Sequence, residues 1–492
     1  MLKWLSSSLA DALGRILLKV ATTVVFAHWL SPMVFGRASL TIVIVSLLAI
    51  FVTAPFEESL VQRRLISRVH FSGALAVVLA GSVALMAATG VAAGWITEVF
   101  PPGSETVTLA WLVAGFSPIL LAHAGVAIFT AMARRHQAFA RIAWSNLVGD
   151  VTGTIVGLLL VFSGVGVWSL LAVRLVSRFV TLIWLVVDSP VRIAPGWSPG
   201  RLGELSDVAG WFFVARCVDK ASDAVFQGLV ARLFGIEGAG YLNMALRIIE
   251  PVRGPTASVS HNIAMSFFVR AQHAPERLRA AVASTVSHTA LVLMPVFLGL
   301  AACAPTLIAL LGGAKWTAAG PIASGLALAC VIGATTHFLM TALAARGEAR
   351  LCCLALTWEL IWMAAALIAL HPLSWPAIGI ARIVSACALG GFYLAVARPV
   401  LGIDRPGFVR SVVPSLINAS IMAVAVVGVG ELTLLADSSA LRLIAQVAAG
   451  VMVYAGLALA FQRALLYSIL DVLRGRKSKA STPVFSAAQD QG

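Results

Sequence analysis

Residues 8–30 read SLADALGRILLKVATTVVFAHWL, and residues 208–233 read VAGWFFVARCVDKASDAVFQGLVARL. Each is about the length an apolar helix needs to cross roughly 30 Å of hydrocarbon. Each is also interrupted by charge. Asp11, Arg15 and Lys19 share one helical stripe of the first, while Arg216, Asp219, Lys220 and Asp223 lie in the second. A charged side chain at the bilayer centre costs roughly 2.5–3.5 kcal/mol even on the mildest insertion scale, so these stripes point away from lipid and toward a wet space between helices. The two segments therefore read as parts of an all-α polytopic membrane protein with an ionisable interior, the signature of a pathway for a polar or charged solute.

The rest of the chain agrees. Of its 492 residues 60% are hydrophobic and 11% charged, and the mean hydropathy is +0.95, which excludes a soluble globular protein. A pI near 10.3 would raise the question of nucleic acid in a soluble chain. Here the Lys and Arg gather in short gaps between apolar runs, where they set topology, and no nucleic-acid partner is expected. Cys217, Cys303, Cys330, Cys352, Cys353 and Cys387 show no CxxC or His-flanked spacing, so neither a disulfide framework nor a metal site is expected. Arg15 and Lys19 also break the apolar stretch that a cleavable signal peptide needs, so the first helix is expected to be retained.

Cutting the chain at its polar gaps gives about fourteen transmembrane segments: 8–30, 37–56, 71–96, 107–132, 143–163, 167–187, 208–233, 240–266, 283–303, 320–344, 351–370, 375–397, 411–430 and 441–466. Alternate gaps are basic: QRRLISR at 62–68, ARRHQAFAR at 133–141, VRIAPGWSPGR at 191–201, RAQHAPERLR at 270–279, ARGEAR at 345–350 and RPVLGIDRPGFVR at 398–410. With Lys3 and the RGRKSK tail, roughly 21 Lys and Arg fall on one side and about 4 on the other. The positive-inside rule then puts both termini in the cytoplasm. Twelve spans with one apolar run lying in the interface is the alternative. No gap is long enough to house a soluble catalytic domain. The stretch from Pro305 to Gly320 is expected to form an interfacial helix on the outer face, and Lys477 to Gly492 a cytoplasmic tail.

LSPMVFGRAS at 30–39 and FGIEGAGYLN at 234–243 are similar turns, each with a glycine, Gly36 or Gly240, just before the next helix. A repeat in that register divides the chain into an N-lobe of helices 1–6 (1–187), a linker (188–207), a C-lobe of helices 7–12 (208–397), two extra helices (398–466) and a tail (467–492). This gives two pseudo-symmetric six-helix lobes around a central cavity, the usual build of secondary transporters. The register sets Arg15 opposite Asp219 and Lys19 opposite Asp223, with the signs of charge reversed. Helix eight adds Asn243, Arg247 and Glu250 on one face, with Arg253 beyond, and helix six adds Arg174 and Arg178 one turn apart.

Two readings of these charges are compatible. Arg15, Lys19, Arg174, Arg216, Lys220, Arg247 and Arg253 are candidates to hold an anionic group such as phosphate or pyrophosphate. Asp219, Asp223, Glu250 and Asp11 are candidates for coupling or gating through ion pairs that break and re-form; the plainer reading makes the interlobe pairs static locks. Asp150, Glu359, Arg382, His123, His288 and His337 stand singly in apolar runs. Each is either an interhelical hydrogen-bonding group or a coupling site for a proton or sodium ion. No P-loop, nucleophile elbow or HExxH occurs, so catalytic residues, cofactors and a bound metal are not expected.

The LSPxxFG turn, SLVQRR at 59–64, RRHQAFAR at 134–141 and FGIEGAGYLNMALRI at 234–248 resemble the polysaccharide exporters of the MOP flippase superfamily. The branch they resemble is the Wzx-type group, which includes succinoglycan-type exopolysaccharide exporters. The resemblance implies alternating access around a cationic cavity. It also implies flipping of undecaprenyl-pyrophosphate-linked oligosaccharide repeat units to the periplasmic leaflet of the bacterial inner membrane. A proton or sodium gradient would drive the cycle, with a polysaccharide polymerase and a chain-length regulator as candidate partners beside membrane lipids. At 54–59 the chain has APFEES where the family has an Asp-Leu-Gly run, so no role is carried over to that turn. A peptidoglycan lipid-precursor flippase and a MATE-like ion-coupled antiporter are the alternatives, although an antiporter for cations calls for a cavity dominated by carboxylates.

Overall fold

The computed structural model describes residues 20–62, 67–92, 109–189, 193, 196, 210–271, 274–432, 439–463 and 465–467. Among them the chain is almost wholly helical, with no strand. A helix satisfies its own backbone N–H and C=O groups, which is what a segment in lipid requires. In chain order the helices are α1 (Val20–Trp29), α2 (Pro32–Gln62), α3 (Arg68–Val91), α4 (Leu109–Phe116), α5 (Ile119–Arg135), α6 (Phe139–Phe162) and α7 (Val167–Val187). They continue as α8 (Gly210–Ala271), α9 (Pro275–Gly312), α10 (Ala319–Ala345), α11 (Ala349–Leu370), α12 (Pro376–Val396), α13 (Arg405–Glu431) and α14 (Ser439–Phe461).

Eleven spans among the described residues are long and apolar enough to cross a membrane, with α4 and α5 together forming one of them. The protein is a multi-pass membrane protein. Three of the fourteen expected segments stand outside the eleven. Segment 8–30 is described only from Val20, where it continues as the short apolar α1. Segments 208–233 and 240–266 are the two arms of α8, parted at Gly235 (φ 78°, ψ 171°), and their charges lower their apolar character.

The stretch from Pro305 to Gly320 corrects the sequence reading. It is no separate interfacial helix: α9 runs without interruption through Pro295 and Pro305 to Gly312. Gly313, at φ 75°, ends it, and a single 3₁₀ turn at Ala314–Trp316 leads into α10. At 1.5 Å per residue the 38 residues of α9 extend about 57 Å, well beyond the hydrocarbon thickness. The tail from Lys477 to Gly492 lies outside the described residues.

The chain forms two compact units, Met1–Asn243 and Met244–Gly492. In the first unit α2, α3, α5 and α7 share a core that includes Leu60, Phe71, Val78, Ile128 and Leu185. Beside it α6 lies flush on α7. Gly149, Gly153 and Gly157, one turn apart, face Thr181, Ser177, Val173 and Ser169, and a Cβ at any of the three glycines would strike α7. Small residues at this spacing let two helices approach closely where lipid offers no hydrophobic drive to bring them together. In the second unit α9 packs against α10, α13 and α14. Tyr454 of α14 donates its hydroxyl to the Leu291 carbonyl of α9 at 2.6 Å.

The repeat register is visible in the first unit as a reciprocal contact. A Cβ at Gly36 would collide with the Ile236 carbonyl, and one at Gly240 with the Pro32 carbonyl. The two pairs exchange places under a step of 204 residues. The same step relates Ser39 to Asn243, whose amide Nδ2 donates to the Ser39 hydroxyl at 3.1 Å. Ser39 in turn donates to Gln227 Oε1 at 2.8 Å.

Later turns repeat in conformation as well. Gln137 (φ 55°) and Gly347 (φ 81°) close α5 and α10, and both turns pair backbone atoms alike: Gln137 N–H to Arg134 C=O and Gly347 N–H to Ala344 C=O, each at 3.0 Å. Gly166 and Ser374, both at φ 63°, precede α7 and α12.

Candidate functional site

In the first unit α7 has one buried stripe, containing Leu170, Leu171, Ser177, Thr181 and Leu185, while Ile183, Val186 and Val187 are exposed on its opposite side. At about 100° per residue, Arg174 and Arg178 project along the buried stripe. Arg174 is nevertheless exposed. Arg174 thus stands in mid-span on the inward face of its helix, where a guanidinium turned to lipid would be costly.

The groups around it come from two neighbouring helices. Asp150 of α6 sits beside the glycine stripe that seats α6 on α7, and its Oδ1 accepts a hydrogen bond from Ser177 Oγ at 2.9 Å. Arg174 lies within electrostatic range of Arg178 and Asp150. His123 of α5 lies within range of both arginines. Residues that stand apart in the sequence as lone polar positions thus form one cluster.

On the first arm of α8, Lys220 Nζ lies 3.2 Å from Asp223 Oδ2 and 3.7 Å from Asp219 Oδ2, with all three side chains about half exposed. A candidate cation and two candidate gating carboxylates are therefore paired along a single helix. Asp11, Arg15 and Lys19 lie outside the described residues, and so does the side chain of Arg216, whose backbone belongs to α8. The expected pairs Arg15–Asp219 and Lys19–Asp223 fall there with them.

In the second unit Glu250 Oε1 receives the Arg253 fork, Nε at 2.8 Å and Nη2 at 2.7 Å, and Arg247 is half-buried one turn away. Glu359 of α11 pairs with Arg382 of α12 at 3.1 Å, the two side chains 12% and 24% exposed. Cys330 of α10 feels Arg253, Glu250 and Arg382, which brings the two ion pairs into one neighbourhood. Among the described residues no three His, Cys, Asp or Glu side chains gather as a metal site would need.

Residues 25–321 match the polysaccharide biosynthesis protein family. The chain belongs to that family. The family match covers the whole Asp150–Arg174 cluster and the charges of α8, and stops short of Glu359 and Arg382. Among individual proteins, the chain is similar to the succinoglycan biosynthesis transport protein ExoT of Rhizobium meliloti (strain 1021), 27% identical over 498 residues and 96% of both chains. Its fold is similar to that of the lipid II flippase MurJ in an inward closed conformation, with a TM-score of 0.75, 14% identity, and coverage of 93% of this chain and 99% of the other. An inward-facing multidrug resistance MATE family transporter of the MOP superfamily matches at a TM-score of 0.58, with 15% identity and coverage of 79% and 95%. By name these three proteins are a transport protein, a flippase and a transporter.

Sequence reading of this family member picked out Arg174 and the α8 charges but left Asp150, His123, Glu359 and Arg382 as isolated residues. A signal for grouping two of them was present. Arg174 stands eight residues after Gly166, and Arg382 eight after Ser374. The correspondence emerges once backbone conformation shows that those two residues open equivalent helices.

Proposed function

We propose that the protein flips an undecaprenyl-pyrophosphate-linked oligosaccharide from the cytoplasmic to the periplasmic leaflet of a bacterial inner membrane, with both termini in the cytoplasm. The observation that carries this reading is the accessible, inward-facing Arg174 at mid-span of α7. A guanidinium there is costly unless it serves a charged guest, and its planar fork suits phosphate oxygens. Membership of the polysaccharide biosynthesis family and the likeness to a succinoglycan transport protein support a lipid-linked saccharide as that guest. Arg15, Lys19, Arg216, Lys220, Arg247 and Arg253 complete the proposed cationic path. Asp11, Asp219, Asp223 and Glu250 are proposed to pair and unpair with it as access alternates, coupled to a proton or sodium gradient. The polyprenyl tail stays in the bilayer, so only the pyrophosphate and sugars need shelter. A polymerase and a chain-length regulator are the proposed partners on the product side.

The test is translocation by purified protein in proteoliposomes, with and without an imposed proton or sodium gradient. Three cargoes are compared: a lipid-pyrophosphate-linked oligosaccharide, a peptidoglycan lipid precursor, and an organic cation. Movement of the first, accelerated by a gradient, is the expected result. Preference for the peptidoglycan precursor would reassign the cargo, and movement of the cation alone would replace the flippase reading with an antiporter.

A further inference from the structure

Where α11 packs on α12 in the second unit, the surface is hollowed into an apolar groove of about 540 Å³. Trp358 and Trp362 of α11 form one wall, their rings edge to face at 5.8 Å, and Val384, Cys387, Gly391 and Ala395 of α12 form the other. The two tryptophans remain 41% and 42% exposed. Steps of three and four residues along α12 make its wall one lengthwise stripe. Gly391 gives the groove its depth: among the described residues nothing beyond its own helix backbone comes within 4 Å of where a Cβ would stand. One turn past Ala395 the stripe reaches Arg398, exposed in the π-helical turn Ala397–Leu401. Two further guanidinium groups are tethered to this end of α12. Arg405 donates Nε to the Leu394 carbonyl at 3.3 Å, and Arg346 donates to the Val400 carbonyl. Arg279 lies against Gly402 and pairs with Glu276; that carboxylate, Glu348 and Asp404 offset part of the positive charge.

We infer that this groove binds one hydrocarbon chain of an anionic glycerophospholipid, with the lipid phosphate on Arg398 and Arg405. Water in the groove would find no polar partners, so hydrocarbon is the medium that fills it. The arginines lie at one end only, which sets the direction: the headgroup sits at the basic end and the chain runs along the stripe past Gly391 toward Val384. Basic pockets between spanning helices suit anionic headgroups, and a guanidinium fork suits phosphate oxygens. The tether from Arg405 to the Leu394 carbonyl holds its fork in place before the lipid arrives, so less side-chain freedom is lost on binding. The arginines stand exposed in surface turns, where a small headgroup exchanging with the bilayer can reach them. The site does not depend on which cargo the protein moves.

Binding is read on the purified full-length protein in nanodiscs, by quenching of tryptophan fluorescence with phosphatidylglycerol brominated in its acyl chains. Phosphatidylcholine brominated in the same way and present at the same minor fraction is the comparison. Bromine quenches at contact, and Trp358 and Trp362 line the groove. Phosphatidylglycerol should quench more strongly, and the excess should vanish in Trp358→Phe/Trp362→Phe. Gly391→Leu fills the groove and should abolish the excess as well; leucine is the better helix former, so folding should hold. Arg398→Gln and Arg405→Gln should each raise the phosphatidylglycerol fraction for half-maximal excess quenching about fivefold, and Arg398→Lys less than that. Size-exclusion profiles and melting temperatures identify any variant that fails to fold, in which case the exposed Arg398→Gln decides. Equal quenching by the two lipids overturns the site, as does an excess that survives Gly391→Leu. Relief of quenching by polyprenyl phosphate and not by unlabelled phosphatidylglycerol overturns the phospholipid and gives the groove to the tail of the cargo. Tryptophans shielded from both lipids in a protein that elutes as a dimer overturn it too, and give the face to a second copy of the chain.

Discussion

Arg174 and Arg382 occupy corresponding steps of α7 and α12, yet one is exposed on the inward stripe of its helix and the other is held in a mostly buried ion pair. The difference begins one helix earlier. Asp150 lies thirteen residues after Gln137, whereas Glu359 lies twelve after Gly347, the positive-φ residues that close the preceding turns. A shift of one residue rotates a side chain about 100° around its helix, and Glu adds a methylene of reach. Ser177 then completes the divergence, because its hydroxyl engages Asp150. The corresponding helices of the two units thus carry different chemistry after a one-residue register step.

The sharpest way to break the comparison is to remove each arginine. Arg382→Ala removes the ion-pair partner of Glu359, a carboxylate 12% exposed, and breaking such a buried pair costs about 3–5 kcal/mol. A steep drop in melting temperature, with loss of monodisperse protein on size exclusion, is expected. Arg174→Ala removes an exposed cation; it should leave folding nearly intact and abolish translocation. Equal effects of the two substitutions on stability would remove the distinction between a locked and a working arginine.

Replacing both members of the locked pair should cost much less than removing one. Glu359→Leu/Arg382→Met exchanges two charges for apolar groups of similar volume, a change that is often neutral or stabilising by 1–4 kcal/mol at such sites, to order of magnitude. Melting near or above the unmodified protein, with translocation retained, is the expected outcome. A double variant with normal melting and no transport would show that the pair works in the cycle.

How far the sequence shows this contrast depends on the kind of information each feature carries. Apolar runs and basic gaps were enough for an all-α membrane protein, because lipid forces both on any spanning chain. The Gly36 and Gly240 register was legible too, since two glycines in like turns survive comparison without coordinates, and the reciprocal contacts at Ile236 and Pro32 explain why no side chain fits there. The stretch from Pro305 to Gly320 misled because Pro and Gly normally punctuate helices, whereas α9 absorbs Pro305 and stops only at Gly313. The Asp150 cluster was hidden for another reason. His123, Asp150 and Arg174 lie on three helices, and only the seating of α6 on α7 through Gly149, Gly153 and Gly157 brings the last two together.

Ser177→Ala tests the serine's part in the divergence. The hydroxyl contributes about 1 kcal/mol as a hydrogen bond to a partly buried carboxylate, so a small fall in melting temperature is expected. The functional effect should be larger. Without this hydroxyl Asp150 reorients beside the arginines of α7, and pyrophosphate affinity should drop severalfold. Tighter binding would mean that the hydroxyl restrains Arg174 and not the carboxylate.

Lys220→Gln marks the lower bound of the series. Lys220 bridges Asp219 and Asp223 on one helix, but all three side chains are about half exposed, and pairs of this kind contribute about 0–1 kcal/mol after screening. Melting should therefore shift little. If Asp219 and Asp223 gate by exchanging partners with the cationic path, loss of Lys220 releases both at once, and transport rate should change more than pyrophosphate affinity. A variant altered in affinity and not in rate would make Lys220 a contact to the guest alone, with no part in the exchange of partners.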